Sequence, residues 1–384
     1  MIENQRYLFD IPDRVAYLNC AYMSPLMKAV QNAGHGGIAA KAEPWELHPD
    51  DFFSRSWECR SRFAELINSP PENIAIVPAA SYGLSIAAQN LPVSQGQEII
   101  VLEDQFPSNL YVWRELAKRS GATIYTISRA EATRPDDGGV DWTSALLERL
   151  NERTAIVAAA HCHWTDGSLI DLVQVAERAR TVGAAVVLDV TQSGGAWPLD
   201  IAEIRPDFLV CACYKWLLGP YSLGFLYVDP KWHDGEPLEY SWIARARSED
   251  FSGLVDYQDD YQPGALRYDM GERANFHLMP MANAALTQIL DWTVDGIAET
   301  LSAKTAAIAK RANALGLQTG PSDLRAGHFL GVRFPAGLPA DLPARLAEQK
   351  IYVSVRGDAM RITPHLYNTD HDVDRLFEAL EKEV

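Results

Sequence analysis

Two segments place a carboxylate and an amine at the ends of two predicted strands. The apolar run at 184–190 contains Asp189, and a second run at 208–213 leads to Lys215. In an open α/β sheet the ligand crevice lies at the carboxyl ends of the strands, so both groups should share one edge. The apolar Trp216 beside Lys215 suggests a buried amine, which would be neutral and nucleophilic. A structural salt bridge between the two residues is the plainer alternative.

A candidate anion site follows the predicted strand at 74–77. The chain there runs through Ala79, Ala80 and Ser81 into a predicted helix at 81–90. Small residues at a helix N-terminus leave backbone N–H groups accessible, and the helix dipole favours an anion there. The Ser81 hydroxyl could add a hydrogen bond to a phosphate, and a simple N-cap role is its alternative.

Two further side chains could hold a flat ligand that carries a carboxylate. Phe106 follows the predicted strand at 98–102, where its ring could stack on a heteroaromatic ligand or belong to the core. Arg361 lies in a predicted strand at 359–363. Its guanidinium could bind a carboxylate through two hydrogen bonds or form a structural ion pair.

A pair of histidines, His161 and His163, ends another predicted strand. The segment is similar to the HxHxDH pattern of metal-dependent hydrolases, but Thr165 and Asp166 stand where that pattern has Asp and His. Polar groups that line a ligand crevice are therefore the favoured interpretation. A metal hydrolase that uses His161 and His163 is the alternative, and it would bind metal tightly and lack a yellow colour.

These candidates combine an amine, a carboxylate, an anion site, an aromatic surface and a carboxylate-binding arginine. Pyridoxal 5'-phosphate (PLP) requires this combination of groups. The sequence therefore predicts a PLP site at the edge of a sheet.

The elements that must position these residues follow a regular order. Apolar runs alternate with helical periodicity from about 74 to 228, which predicts a mainly parallel sheet covered on both faces. Residues 229–276 have weak periodicity and are predicted to be connecting structure. A long helix at 279–315, broken near Asp291, leads into a compact α+β unit. We expect an N-terminal arm at 1–20, a large cofactor-binding domain at 21–275, and the long helix with a small C-terminal domain at 276–384.

Composition restricts the partners of this 384-residue chain. It has 34 Lys and Arg residues and 51 Asp and Glu residues, which gives a formal net charge of −17. This charge disfavours binding to nucleic acid and to anionic membranes. The five cysteines do not resemble a disulfide framework. Neither a signal peptide nor an apolar run of transmembrane length is evident. We expect a cytoplasmic protein that binds small molecules.

The most specific motifs, DVTQSGG at 189–195 and YKWLLGPYSLGFLYV at 214–228, resemble those of fold-type I PLP enzymes of the aminotransferase class V group. That group includes cysteine desulfurases, selenocysteine lyases, kynureninases and isopenicillin N epimerases. The resemblance extends from 17–25 to the C-terminal helix. It implies the α/β PLP-transferase fold, with a large domain around a mainly parallel sheet and a small C-terminal α+β domain. It also implies a homodimer with its sites at the subunit interface.

The resemblance implies a role for each candidate residue. Lys215 would hold PLP as a Schiff base and later move the substrate Cα proton as a general base. Asp189 would pair with the pyridine nitrogen, and Gln192 would hydrogen-bond the phenolic oxygen. The remaining implied contacts are Ala80, Ser81 and Tyr214 at the phosphate, Phe106 on the ring, Asn275 at the partner subunit's phosphate, and Arg361 at the substrate α-carboxylate.

Several positions depart from the pattern of the family. Desulfurases and selenocysteine lyases carry a catalytic Cys on a loop before the Arg361 strand, but segment 355–362 has no Cys and no room for that loop. Trp164 occupies the cofactor position where relatives usually have an Asn near the ring oxygen. Glu272 falls in the segment implied to bind the partner's phosphate, where Arg273 could compensate its charge.

The sequence predicts a PLP-dependent enzyme that acts at the Cα of an amino acid, and an aminotransferase of class V type is favoured. The alternatives are a Cβ-cleaving lyase of the kynureninase or selenocysteine lyase type, an amino-acid epimerase, and a non-catalytic relative. The candidates for the substrate pocket are Tyr22, Trp164, Trp242 and His365.

Overall fold

A computed structural model describes residues 1–383 of the chain. The strands in chain order are β1 (Ala16–Tyr17), β2 (Ile74–Val77), β3 (Glu98–Leu102), β4 (Thr123–Ile127), β5 (Thr154–Ala160), β6 (Ala185–Asp189), β7 (Phe208–Ala212), β8 (Gly224–Val228), β9 (Gln318–Thr319), β10 (Leu330–Arg333), β11 (Ile351–Tyr352), β12 (Ser354–Arg356) and β13 (Ala359–Ile362). The helices in chain order are α1 (Lys28–Ala42), α2 (Ser54–Leu66), α3 (Ala80–Asn90), α4 (Ser108–Ser120), α5 (Arg129–Ala132), α6 (Trp142–Arg149), α7 (Leu172–Val182), α8 (Ile201–Ile204), α9 (Leu278–Trp292), α10 (Val294–Ala314), α11 (Leu342–Glu348) and α12 (Asp370–Leu380).

The centre of the fold is a seven-stranded sheet with the order β2-β8-β7-β6-β5-β3-β4. Only β8 is reversed, since it is antiparallel to both β2 and β7 while the other neighbouring strands are parallel. This confirms the predicted α/β class with a mainly parallel sheet. The carboxyl ends of β2, β3, β5, β6 and β7 therefore meet at one edge.

Both faces of this sheet are buried, as its continuous apolar strands predict. Successive residues of β3 alternate between two cores: Ile99 belongs to the core that includes side chains of α3 and α4, and Ile100 to the core that includes side chains of α2, α6, α7 and α9. The helices therefore fix the sheet from both sides, and the strand ends become a rigid platform for the residues that follow them.

The C-terminal region forms a second sheet of four antiparallel strands, with the order β12-β13-β10-β9. It packs with α10 and α12 around a separate apolar core that includes Ile308, Leu330 and Phe377. Strand β1 pairs in parallel with β11, so the N-terminal segment is attached to the C-terminal part of the chain. None of the described helices is long and apolar enough to cross a membrane.

Helix α1 was not predicted, because glycines within it weaken helical propensity. Tertiary packing accounts for two of those glycines. A Cβ at Gly34 would lie 2.8 Å from the Met281 sulfur, and one at Gly37 would lie 2.1 Å from the Phe276 carbonyl oxygen. Close approach to α9 therefore overrides local propensity. The predicted break in the long helix is real and falls at Thr293, whose φ of 61° separates α9 from α10.

Gly83 allows α3 to lie directly on the sheet, since a Cβ there would be 2.6 Å from Cγ1 of Val210. We expect Gly83→Ala to lower the free energy of unfolding by about 1–3 kcal/mol, because a packed core accommodates extra volume poorly. The matched control is Gly36→Ala in α1, where no atom lies within 4 Å and the added methyl group should be neutral or stabilising. Denaturant unfolding of both variants tests this, and an equally stable Gly83→Ala protein would contradict it.

Candidate active site

The carboxyl edge of the central sheet opens into a cavity of about 270 Å³. Its lining comes from the segments that follow β2, β3, β5, β6 and β7 and from the segment that precedes β8. The structure brings these predicted residues together in its wall: Ala80, Ser81, Phe106, Trp164, Asp189, Gln192, Tyr214 and Lys215. Residues far apart in sequence thus share one chamber because parallel strands end at the same edge.

Lys215 is a buried amine, with 6% of its surface exposed. Burial lowers the pKa of Lys215 to about 8; Asp189 opposes this shift, whereas Arg361 and Arg356 add to it. The Lys215 Nζ atom lies 5.3 Å from the centre of the Phe106 ring. The site therefore holds a buried amine that can lose its proton near neutral pH.

The pH dependence of Lys215 follows from this setting. The protonated amine cannot attack an aldehyde, so the rate at which the apoprotein captures PLP at Lys215 should rise as the pH increases through about 8. For an ordinary lysine the same rise in rate would be centred at about pH 10.4. The measurement is reductive trapping at each pH followed by mass mapping of the Lys215 peptide. A midpoint at the ordinary lysine value would contradict the burial effect.

Asp189 ends β6 and is buried beside the cavity. Its Oδ1 accepts the backbone N–H of Thr191 at 3.0 Å. Burial raises the pKa of Asp189, while Thr191 and Lys215 act in the opposite direction. Thr191 also accepts the Ala212 N–H at 3.1 Å, which ties the ends of β6 and β7 together. Asp189 therefore presents a fixed carboxyl oxygen to a ligand.

The Gln192 side chain is oriented by the protein itself. Its Nε2 donates to the Ala21 carbonyl at 3.1 Å, and its Oε1 accepts the indole N–H of Trp216 at 2.9 Å. Since a primary amide has two N–H groups, one remains for a ligand oxygen. Sequence reasoning missed Thr191 and Trp216 as positioning residues. Thr191 stands two residues from the Asp189 that it holds, whereas Trp216 is 24 residues from Gln192, so only the first contact was local in sequence.

The first turn of α3 forms the candidate anion site. The N-cap residue is Ala79, whose methyl side chain cannot accept a hydrogen bond. The first backbone N–H groups of the helix therefore remain available to a ligand. Ser81 lies inside the first turn and does not cap the helix, so the N-cap alternative was wrong. Tyr214 borders the same cavity, with its ring 4.6 Å from that of Tyr221.

An aromatic pair closes another side of the cavity. The rings of Phe106 and Trp164 meet edge to face, 5.4 Å apart. The Trp164 carbonyl accepts a hydrogen bond from Nη1 of Arg361 at 2.9 Å, which connects the cavity wall to β13. Arg361 is buried and has no carboxylate partner within residues 1–383. The alternative of a structural ion pair for Arg361 was therefore wrong.

Asn275 lies outside this cavity. Its Oδ1 accepts the N–H of Leu278 at 3.0 Å at the start of α9, beside a separate surface cavity that Glu272 also lines. Arg273 is buried in an ion pair with Asp269. The expectation that Arg273 compensates the charge of the exposed Glu272 was therefore wrong. The role of Asn275 at a partner subunit's site stays a prediction.

The two histidines do not converge on one point. Both ring nitrogens of His163 have partners, with Nδ1 2.7 Å from the Thr165 hydroxyl and Nε2 3.0 Å from the Glu103 carbonyl. His161 borders a different cavity. No group of three or more His, Cys, Asp or Glu residues in the described chain is arranged to hold a metal ion. The geometry thus gives the metal-hydrolase alternative no support.

The other candidates for the substrate pocket also lie elsewhere. His365 has no exposed surface, packs beside Trp216 and does not line the cavity. Trp242 borders the surface cavity near Asn275. Tyr22 is exposed and does not line the chamber that contains Lys215. Of the four, only Trp164 lines that chamber.

The residues present fit PLP on chemical grounds. A buried amine can bind the aldehyde, Asp189 offers a carboxyl group that lines the cavity to the ring nitrogen, and the uncapped first turn of α3 suits the phosphate. Phe106 supplies an aromatic face, and the spare N–H of Gln192 suits the ring oxygen.

Comparisons with known proteins agree with this assignment. The profile of the Aminotransferase class-V family matches residues 49–376. The chain is 25% identical over 356 residues to an uncharacterized aminotransferase of Bacillus subtilis (YcbU), covering 92% of this chain and 89% of that protein. It is 26% identical over 372 residues to isopenicillin N epimerase of Streptomyces clavuligerus, covering 88% and 87%.

Solved structures share the fold. A C-DES mutant with glycine covalently linked to the PLP cofactor superposes with a TM-score of 0.86 at 19% identity, covering 98% of this chain and 99% of that one. The apo cysteine desulfurase of Thermococcus onnurineus NA1 gives 0.82 at 20% identity, covering 100% and 99%. At these identities the likeness concerns the fold.

Proposed function

Because the chain belongs to the aminotransferase class-V family of PLP-dependent enzymes, we propose that it acts at the Cα of an amino-acid substrate with Lys215 as the catalytic amine. The observation that carries this proposal is the buried Lys215, whose pKa is lowered to about 8, in one cavity with Asp189 and an uncapped helix N-terminus. Such a lysine can bind the cofactor and can exchange a proton near neutral pH.

Bound PLP supplies a ring that accepts electrons from a carbanion at the substrate Cα. The Asp189 carboxylate would hold the ring nitrogen in its protonated form. Lys215 moves the Cα proton, and Arg361 orients the substrate through its α-carboxylate. Gln192, held by Trp216, would donate a hydrogen bond to the ring oxygen.

Transamination is the outcome that we favour, and epimerisation is the second candidate. The similarity to the aminotransferase of Bacillus subtilis supports the first, and the similarity to isopenicillin N epimerase supports the second. Both reactions begin with proton removal at Cα. A lyase that cleaves at Cβ shares that step as well and remains the third outcome to test.

Cysteine-dependent desulfuration is not proposed, although cysteine desulfurases are among the relatives. Only Gly357 and Asp358 link β12 to β13, so the position before Arg361 has no loop to carry a thiol. All five cysteines are buried, and burial raises the pKa of the thiol of Cys162, which borders the cavity. A protonated, enclosed thiol is a poor sulfur acceptor.

The test is a panel of amino acids incubated with the holoenzyme in deuterated water. Deuterium at Cα reports the shared first step, a 2-oxo acid reports transamination, the opposite enantiomer reports epimerisation, and a Cβ fragment reports cleavage. We expect deuterium exchange accompanied by a 2-oxo acid. A PLP-loaded enzyme that exchanges the Cα proton of no member of the panel would contradict the proposal.

A further inference from the structure

Two arginines converge on Trp164, which lines the cavity, although neither arginine is itself among the lining residues. The guanidinium carbon of Arg356 lies 5.5 Å from the centre of the Trp164 ring, and that of Arg361 lies 5.8 Å from it. Neither forms a salt bridge within residues 1–383, whereas the buried Arg60 and Arg273 elsewhere share Asp269. The surroundings of Trp164 therefore carry two positive charges without a carboxylate partner within residues 1–383.

Hydrogen bonds hold Arg361 in place without neutralising it. Its Nε and Nη2 donate to the Ser354 hydroxyl at 2.9 and 2.7 Å, and its Nη1 donates to the Trp164 carbonyl. These neutral acceptors use three of the five guanidinium N–H groups. One N–H remains on each terminal nitrogen, the pair that binds a carboxylate with two parallel hydrogen bonds.

The Arg356 side chain makes fewer hydrogen bonds than that of Arg361. It is half-buried at the end of β12, and its one protein hydrogen bond is from Nη1 to the Val355 carbonyl at 2.7 Å, so most of its N–H groups are free within the described chain. Burial lowers the pKa of Arg361 to about 9, and the charge of Arg356 acts in the same direction. A single α-carboxylate would compensate only one of these charges.

From this geometry, and resting on the function proposed above, we propose that the substrate is an amino acid with an acidic side chain. Arg361 binds its α-carboxylate, and Arg356 binds the second anionic group across Trp164. The separation of the two guanidinium carbons cannot exceed the sum of their distances to the ring centre, which suits a short diacid. Arg356 thereby becomes the residue that determines specificity.

The test compares acids with their amides on the holoenzyme. L-aspartate and L-glutamate are titrated against L-asparagine and L-glutamine, and binding is followed by the change in near-visible absorbance. We expect the best acid to bind at least about tenfold more tightly than its amide, the effect of one charge-assisted interaction. Added salt should reduce this preference, since Arg356 is partly exposed.

Variants assign the preference to one residue. Arg356→Gln should weaken binding of the acid by about 10- to 100-fold and leave the amide unchanged, while Arg356→Lys should restore part of the loss. The matched control is Arg345→Gln in α11, an arginine paired with Asp341 and Glu383 on the surface. This control should bind both ligands as the parent does.

Two results would overturn the inference: equal binding of acid and amide by the parent, or an equal loss of both in Arg356→Gln. The second result would be expected if Arg356 were matched by a carboxylate from another subunit. Failure of the proposed function would be visible separately, as absence of PLP on Lys215. In that event, calorimetry with glutarate and butyrate still tests the anion pair, because neither compound needs the cofactor, and equal binding would refute it.

Discussion

Lys215→Ala should yield a folded protein that no longer attaches PLP covalently and no longer removes the Cα proton. Lys215 is buried beside Phe106 and Asp189, and no other lysine of the described residues lines the chamber. Loss of a general base alone costs on the order of 10²- to 10⁴-fold in rate. We therefore expect Cα exchange to fall by at least that factor, measured as deuterium uptake in single turnovers.

The control is Lys304→Ala, which removes another partly buried lysine, hydrogen-bonded to the Asn368 carbonyl far from the cavity. This variant should keep both the cofactor and the exchange reaction. If Lys215→Ala retained the colour of the parent after dialysis against PLP-free buffer and exchanged at the parental rate, the assignment of the catalytic amine would be wrong.

Asp189→Asn should bind PLP but react slowly. The substitution keeps the shape of the side chain and removes the negative charge that favours protonation of the ring nitrogen. We expect Cα exchange to fall by about 10²- to 10³-fold, the usual cost of removing one preorganised electrostatic contact. The measurement is the exchange rate at saturating PLP, together with the PLP content of the purified variant.

Asp207→Asn is the matched control, since Asp207 is a buried carboxylate before β7, at the opposite edge of the same sheet. It accepts hydrogen bonds from the Val186 N–H and the Trp232 indole. This variant should lose stability and retain the exchange rate per bound PLP. A parental rate in Asp189→Asn would exclude the electrostatic role proposed for Asp189.

The sequence alone was sufficient to predict the platform of the site. Strands β2 and β3 begin and end where the apolar runs placed them, because buried strands appear in the sequence as continuous apolar segments with polar ends. Once the strand ends were located, the rule for open sheets brought Asp189, Lys215, Ser81 and Phe106 to one edge. Topology, rather than any single motif, therefore made the site predictable.

The orienting contacts could not be predicted in this way. Trp216 holds Gln192, and Ser354 holds Arg361, through hydrogen bonds that depend on the relative placement of distant segments. The unmatched charge of Arg356 became visible only when every nearby carboxylate could be checked. Helix α1 could not be predicted from local sequence either, because contact with another helix outweighs the poor helix propensity of its glycines.

The most direct test of PLP attachment at Lys215 is the near-visible absorbance of the purified protein, followed by borohydride reduction and mass mapping of its peptides. We predict a yellow protein whose colour is lost on reduction and whose single pyridoxyl group is found on the peptide that contains Lys215. A protein that stays colourless in the presence of PLP, or one that carries the label on other lysines while Lys215 is unmodified, would contradict it.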